Sequence, residues 1–249
     1  MAERQEEIRL LLQERGNITV AELAQHFGVS DMTIRRDLKA LAALGLVQRE
    51  HGRAVYFESQ EPAFFTRLGE CEREKLAIGR LAASLVNPGE SIILDAGTTT
   101  LAVAQALTQK CVVITNSLPI AGVLGNRPEI TTIVSGGEVR GSTYALVGPM
   151  VRNSLQGFNA DKLFLGATGI SLERGLSTEN MLESEVKQAM LRTAKQVILL
   201  AHSKKVGQVF YHSFAQWNMV KILVTDDGLS GEICAELESM GVRVLIAHT

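Results

Sequence analysis

Two different spacings of apolar positions divide this chain. Near the N-terminus apolar side chains recur three and four apart, with Val20, Leu23, Ala24 and Phe27 on one stretch and Ile34, Leu38 and Leu41 on the next. Each set makes the apolar stripe of a short amphipathic helix. Thr19 and Glu22 open the first helix as a T-x-x-E box, the hydroxyl accepting from an orphan N–H while the Glu reaches back to the cap. Gly28 supplies the sharp turn, Ser30 caps the second helix, and Gly45 ends it as the residue past the last turn. Residues 46–50 and 54–57 then predict two strands around a turn at His51, Gly52 and Arg53. Helix, tight turn, helix and hairpin together predict a winged helix-turn-helix.

From residue 72 onward the spacing changes. Near-continuous apolar, β-rich runs at 91–95, 112–115, 131–135, 162–167, 196–201, 221–225 and 243–246 predict strands. Amphipathic stretches at 99–107, 118–124, 183–193 and 231–240 predict helices between them. Another helix opens at 72 and is stopped near 86 by Asn87-Pro88-Gly89. Such alternation predicts an α/β fold with a doubly wound, mostly parallel sheet buried on both faces. The intervening segment 58–71 has no sustained period and holds Pro62 and the Phe64-Phe65 pair, so it is taken as a linker partly docked by its aromatics. The expected organisation is 1–57 for the winged helix-turn-helix, 58–71 for the linker and 72–249 for the α/β domain.

On the second helix the apolar stripe pushes Met32, Arg35, Arg36 and Lys39 to the opposite side. They occupy its N-terminal half, where a recognition helix presents side chains to base edges, with Ser30 and Thr33 anchoring the helix start. Arg49, His51 and Arg53 add a second basic cluster on the wing. Overall charge argues nothing here: the chain carries a net charge of −2 and a pI near 6.2. Even residues 1–57 hold eight basic and eight acidic side chains, but residues 30–53 hold five against three. Attraction to double-stranded DNA must therefore come from how the charge is distributed.

The 249 residues, 46% hydrophobic, suffice for one sizeable core and a small accessory domain. Cys71, Cys111 and Cys234 are odd in number and widely spaced, as expected of reduced thiols in a cytoplasmic protein. No signal peptide or membrane-length apolar run is read in the sequence.

In an open parallel sheet, ligands bind outside the carboxyl ends of the strands, and those exits are polar here. The first leads through Asp95-Ala96-Gly97-Thr98-Thr99-Thr100 into a helix, offering backbone N–H groups and hydroxyls at a positive helix end suited to phosphate. Further exits are Thr115-Asn116-Ser117, Ser135-Gly136-Gly137 with Arg140 beyond, Gly166-Ala167-Thr168-Gly169, and His202-Ser203-Lys204-Lys205. Singly, each admits a plainer role as cap, turn or solvated loop. Their recurrence at successive strand ends favours a site for a polyhydroxylated anion.

The N-terminal residues resemble the DNA-binding domain of the DeoR family of bacterial transcriptional regulators: an early helix at 4–13, V-x-E-L-A at 20–24, V-S-x-x-T-I-R-R-D-L at 29–38, Leu44-Gly45 and Arg49-x-His51-Gly52. Arg53 departs from the second Gly usual in the family's wing. The order D-x-G-T-T-T, T-N-S, G-G-x-x-R, D-K-L-F-L-G-A-T-G-I, E-x-E-V-K and K-x-G resembles that family's sensor domain, which is similar in fold to ribose-5-phosphate isomerase. The resemblance implies a repressor of carbohydrate metabolism released by a phosphorylated sugar; a homodimer or higher homo-oligomer is expected because a single head binds weakly, and no cofactor, metal, catalytic residue or membrane partner is expected. It nominates Asp95, Gly97, Thr98, Thr99 and Thr100 for the phosphate turn, and Asn116, Ser117, Gly137, Arg140, Lys187 and Lys205 around the ligand. His202 stands where the family more often has Asp, and its role is left open.

The competing expectation is a sugar-phosphate isomerase or hydrolase with an appended DNA-binding domain. Enediol isomerisation needs a positioned base, usually a carboxylate. Residues 166–171 contain none at the strand exit where those isomerases carry an acidic cluster, leaving Asp95, Glu138, Glu183 and Glu185 as bases.

Overall fold

The computed structural model describes residues 3–15, 17–43, 47–50, 53–56 and 63–249. Two compact units result, Met1–Pro62 with Arg140–Ser142, and Ala63–Val139 with Thr143–Thr249.

The first unit runs α1 (Glu3–Arg15), β1 (Asn17–Thr19), α2 (Val20–Phe27), α3 (Asp31–Ala43), β2 (Val47–Glu50) and β3 (Arg53–Tyr56). The capping box forms: Glu22 N–H donates to the Thr19 hydroxyl at 3.2 Å, and Thr19 N–H to the Glu22 carboxylate at 2.8 Å. Gly28 turns the chain with φ +62°. The expected stripe is the core, where Ile34, Leu38 and Leu41 pack with Val20, Leu23, Ile8 and Leu12. Two details differ from the expectation. The sheet has a third strand, because β1 pairs antiparallel with β3. Arg53 lies in β3 opposite Glu50 rather than in the turn, because it pairs with Thr19 of β1 as well as with Glu50 of β2. Gly45, His51 and Gly52 lie outside the described residues.

Asp37, which the sequence pattern did not single out, joins the unit's helices. It is 4% exposed and accepts from Arg4 Nε at 2.7 Å and Gln5 Nε2 at 3.1 Å. A buried carboxylate is tolerable only when so paired.

The second unit begins with α4 (Phe64–Gly69) and α5 (Glu72–Ala83). Phe64–Gly69 is helical where the sequence showed no period: six residues are too few to display one, and burial of Phe64 against the core holds the turn in place. There follow β4 (Ser91–Leu94), α6 (Thr98–Ala106), β5 (Cys111–Thr115), α7 (Leu118–Leu124), β6 (Ile130–Val134), β7 (Glu138–Arg140), β8 (Ala145–Val147), α8 (Pro149–Leu155) and β9 (Ala160–Gly166). The chain continues through β10 (Gly169–Ser171), β11 (Gly175–Thr178), α9 (Met181–Thr193), β12 (Ala194–Leu200), β13 (His212–Ala215), β14 (Ile222–Asp226), α10 (Gly231–Ser239) and β15 (Arg243–Ala247).

Seven strands form one sheet in the order β15-β14-β12-β9-β4-β5-β6, parallel throughout. Alternate residues feed opposite cores, as a period of two requires. Ile93, Leu163, Leu165 and Leu199 pack beneath one set of helices, Ile92, Leu94, Phe164 and Ile198 beneath the other. The sheet is thus doubly wound. Successive strands step one way from β4 to β5 and β6 and the other way from β9 to β12, β14 and β15. The crevice between β4 and β9 is therefore the switch point, where an open α/β sheet binds ligands.

The Asp161-Lys162 pair that opens β9 serves the opposite end. Asp161 accepts from Ser91 N–H at 3.0 Å and Lys195 Nζ at 2.8 Å, and Lys162 Nζ donates to Glu90 at 2.6 Å and to the Leu85 carbonyl at 2.7 Å. The hydrogen bond from Lys195, then those from Ser91, hold the Asp161 carboxyl well below the usual carboxylate range. The three cysteines are free, and burial first, then Glu90, pushes the Cys111 thiol up to about 11.

Gly79 sets how closely α5 approaches α6: a Cβ there would stand 2.6 Å from both the carbonyl carbon and the Cβ of Ala102. Alanine would gain about 1 kcal/mol of helix propensity. Overpacking against backbone costs about 1–3 kcal/mol. Gly79→Ala should therefore lower the melting temperature, and a rise would show that these helices do not meet so closely.

Candidate functional site

On α3, Ile34, Leu38 and Asp37 face inward while Met32, Arg35, Arg36 and Lys39 are exposed. Those four and Thr33 line one open concavity. Met32, 77% exposed, is an apolar side chain that packing within the unit does not explain. The Ser30 hydroxyl lies 3.0 Å from that of Thr33 and accepts from Thr33 N–H at 3.3 Å, fixing the start of the helix. Arg49 and Arg53 lie on the strands β2 and β3, and His51 is outside the described residues.

At the switch point Asp95, 1% exposed, is held by two elements. Its Oδ2 accepts from Gly166 N–H of β9 at 2.9 Å and from Lys187 Nζ of α9. Lys187 also donates to the Gly166 carbonyl at 3.1 Å and sits 5.6 Å from the centre of the Phe214 ring. Burial drives the Asp95 pKa upward, with Lys187 and the Gly166 N–H opposing it. Both residues were expected to contact ligand. They meet one another, 92 residues apart in the chain, and clamp β4, β9 and α9.

With Asp95 fixed, the chain passes through Gly97 directly into α6, and no side chain caps that helix. Thr98, Thr99 and Thr100 are buried at its first turn, and the Thr100 hydroxyl donates to the Gly97 carbonyl at 3.0 Å. Uncapped N–H groups at a helix start, beside a carboxylate already neutralised, can receive an anion.

Each side of the crevice is organised by its own hydrogen bonds. The Thr115 hydroxyl donates to the Leu94 carbonyl at 2.7 Å, tying the end of β5 to β4. Asn116, 2% exposed, donates from Nδ2 to the Leu146 carbonyl at 3.0 Å, while its Oδ1 is buried without a partner. Ser117 caps α7 by accepting from Ile120 N–H at 3.4 Å. Across the crevice Lys205 Nζ donates to the Ala167 carbonyl at 2.5 Å. Asp95, Thr98–Thr100, Lys187 and Lys205 thus gather at the ends of β4 and β9, with Asn116 and Ser117 one strand further.

Two further nominated residues lie on and before the strand β7. Gly137 has φ +117°, and a Cβ there would stand 2.6 Å from Val151 Cγ2 and 2.8 Å from the Val147 carbonyl oxygen, so backbone packing accounts for it. Arg140 is buried at the end of β7.

Pattern reading passed over the structural roles of two acids. Glu183, buried at the start of α9, accepts from the Thr143 hydroxyl at 2.7 Å. Asp226, at the end of β14, accepts from Ser203 N–H at 2.6 Å and its hydroxyl at 2.7 Å. No local period announces such long-range pairs. Among the described residues no group of three or more His, Cys, Asp and Glu side chains is placed to hold a metal ion, and no helix is long and apolar enough to cross a membrane.

Comparison with known proteins covers both units. The model of the DeoR-like helix-turn-helix domain matches residues 4–60, and that of the DeoR C terminal sensor domain matches residues 70–227. The HTH-type transcriptional regulator GolR of Listeria innocua is 36% identical over 99% of this chain and 98% of its own length. The HTH-type transcriptional repressor GlcR of Bacillus subtilis is 34% identical over 95% of this chain and 93% of its own. The putative aga operon transcriptional repressor of Escherichia coli O157:H7 is 30% identical, with 98% and 93% covered. A ribose 5-phosphate isomerase A structure from Methanocaldococcus jannaschii is 18% identical, with a TM-score of 0.39 and 54% of each chain covered.

Removing the clamp's cation should be costly. Lys187→Met leaves Asp95 buried and unpaired, a change worth about 3–5 kcal/mol of stability. Adding Asp95→Asn should recover part of the loss in a denaturant titration. Equal stability of wild type and Lys187→Met would contradict the clamp.

Proposed function

The chain belongs to the DeoR family of transcriptional regulators, and from that premise we propose that it represses an operon of carbohydrate metabolism until a phosphorylated sugar binds the strand ends of its sensor domain. The observation that carries the reading is the uncapped start of α6 at the β4/β9 switch point. Buried threonine hydroxyls and Lys205 flank it, in a chain whose α3 displays Arg35 and Arg36. Residues 1–57 carry the DNA-binding domain in this reading, and the sensor runs from α4, whose Phe64 packs into its core, to residue 249.

In this reading α3 enters the major groove. Arg35 and Arg36 divide base and phosphate contacts, Lys39 and wing residues Arg49, His51 and Arg53 add phosphate contacts, and Met32 offers an apolar surface to a thymine methyl group. One head alone binds weakly, so a homodimer or larger homo-oligomer on repeated half-sites, in the cytoplasm, completes the account. The phosphate sits on the N–H groups of Gly97 to Thr100 with Lys205 beside it. The sugar hydroxyls face Asn116 and Ser117. Asn116 Oδ1 needs a donor, which a hydroxyl provides and a phosphate dianion does not.

Isomerase chemistry fits less well. The carboxylate nearest the crevice, Asp95, is engaged by Lys187 and the Gly166 N–H, and the exit of β9 carries Gly166, Ala167 and Thr168 without a carboxylate. The matched relatives carry the names of transcriptional regulators.

Fluorescence anisotropy with the DNA upstream of the chain's own gene tests this reading. The substitution that removes a base-reading arginine, Arg35→Ala or Arg36→Ala, should weaken binding by about 1–3 kcal/mol, roughly 5- to 150-fold. The one that removes a phosphate contact should reduce the salt slope by about one. At least one sugar phosphate should release wild-type protein but not Thr99→Val or Lys205→Ala. Unchanged affinity and salt slope in both arginine variants would remove the DNA-reading role of α3.

A further inference from the structure

His202 lies at the carboxyl end of β12, one strand beyond β9. Its carbonyl accepts from Lys205 N–H at 3.0 Å, opening the short turn Ser203–Lys205. Asp226 of β14 pins that turn through Ser203 N–H and hydroxyl, and also accepts from Gly228 N–H at 3.1 Å. The turn carries Lys205 back over the exit of β9, where Nζ meets the Ala167 carbonyl. His202 thus shares its turn with the cation that faces the switch point.

The imidazole is part-buried, and its Nδ1 is shut away from water without a hydrogen-bond partner. A polar atom so placed costs about 1–3 kcal/mol of desolvation unless something supplies a partner. The charged groups around the ring are Lys205 and Lys204 of its own turn, Lys75 of α5 and Asp226 of β14. Three cations face one carboxylate, and that carboxylate already receives three donors. Burial first, then Lys205 and Lys75, hold the ring's pKa down to about 4, against the pull of Asp226. At neutral pH the ring is therefore uncharged. What its surroundings lack is an anion free to accept from the ring, and an oxyanion seated beside Lys205 supplies one.

We propose that His202 is a binding group of the effector's anion subsite together with Lys205, and that seating a dianion there protonates the imidazole, so that effector binding takes up a proton. This rests on the reading that an anionic group binds at these strand ends. Two added negative charges cancel the net positive charge of the three lysines and Asp226, and a hydrogen bond from the protonated ring to the dianion works against the burial that otherwise keeps the ring neutral. The sign follows from linkage: a complex that holds the extra proton binds more tightly as pH falls from 7 toward the free ring's titration.

A phosphate ester is a confusing probe, because its own second ionisation, with pKa about 6, removes ligand charge over the same range. Inorganic sulfate keeps both charges throughout and is the probe to use. With the full chain, without DNA and at constant ionic strength made up with chloride, sulfate binding is measured by calorimetry at pH 7 and pH 5.5, in buffers of different ionisation heat. Wild type should bind severalfold tighter at pH 5.5 with uptake of up to about one proton. His202→Gln, with its fold checked by circular dichroism, should lose both effects. Sulfate binding that depends on Lys205 but has the same pH dependence and proton uptake in wild type and His202→Gln would overturn the role of His202 and leave the anion site standing. Absence of any sulfate binding that Lys205→Ala weakens would overturn both.

Discussion

The buried ion pair of Lys187 with Asp95 is the constraint from which the sensor site follows. Two charges withdrawn from water are expensive, and their attraction repays the cost only when further hydrogen bonds complete the geometry. Here Gly166 provides them, giving its N–H to Asp95 and its carbonyl to Lys187. The pair therefore specifies which two strands adjoin at the switch point and how α9 lies against them. Because Asp95 immediately precedes Ala96-Gly97, fixing its carboxylate also fixes the direction in which α6 begins. The crevice keeps a helix terminus that no side chain caps, while its central carboxylate is already balanced by Lys187.

Around that centre the strand ends differ in what they offer. The β5 side is neutral and hydrogen-bonding, with Thr115 tied to Leu94, Ser117 capping α7 and one acceptor of Asn116 unused. The β12 side is cationic, with Lys204, Lys205 and Lys75 around His202. An elongated ligand with hydroxyls at one end and an oxyanion at the other matches this polarity in one orientation. Asp95, the carboxylate at the switch point, is committed to architecture by Lys187 and the Gly166 N–H.

Local chemistry made most of the fold legible in the sequence. Thr19, Glu22 and Gly28 marked the boundaries of α2 because capping and left-handed turns depend on neighbouring residues alone, and the stripe of Ile34, Leu38 and Leu41 gave the inward face of α3. The parallel sheet was legible because both its faces are buried and its strands are apolar throughout. What escaped depends on distant partners. Arg53 joins β3 because strands on both sides pair with it, α4 exists because Phe64 finds a pocket in the core, and Asp37 matters because α1 supplies Arg4 and Gln5. The site residues divide the same way. The polar strand exits were visible, but nothing local told that Lys187 faces Asp95 or that Gly137 answers to Val151.

The central claim is that one ligand couples the sensor's strand ends to the DNA-reading face of α3. Coupling between two binding sites is reciprocal: if a sugar phosphate weakens operator binding by some factor, bound operator must weaken sugar-phosphate binding by that same factor. Calorimetry of the sugar phosphate against free protein and against the protein–operator complex, at one salt concentration, measures it directly. The account predicts a lower ligand affinity in the complex, by a factor equal to the loss of operator affinity at saturating ligand. A ligand that binds free and operator-bound protein equally well would contradict it.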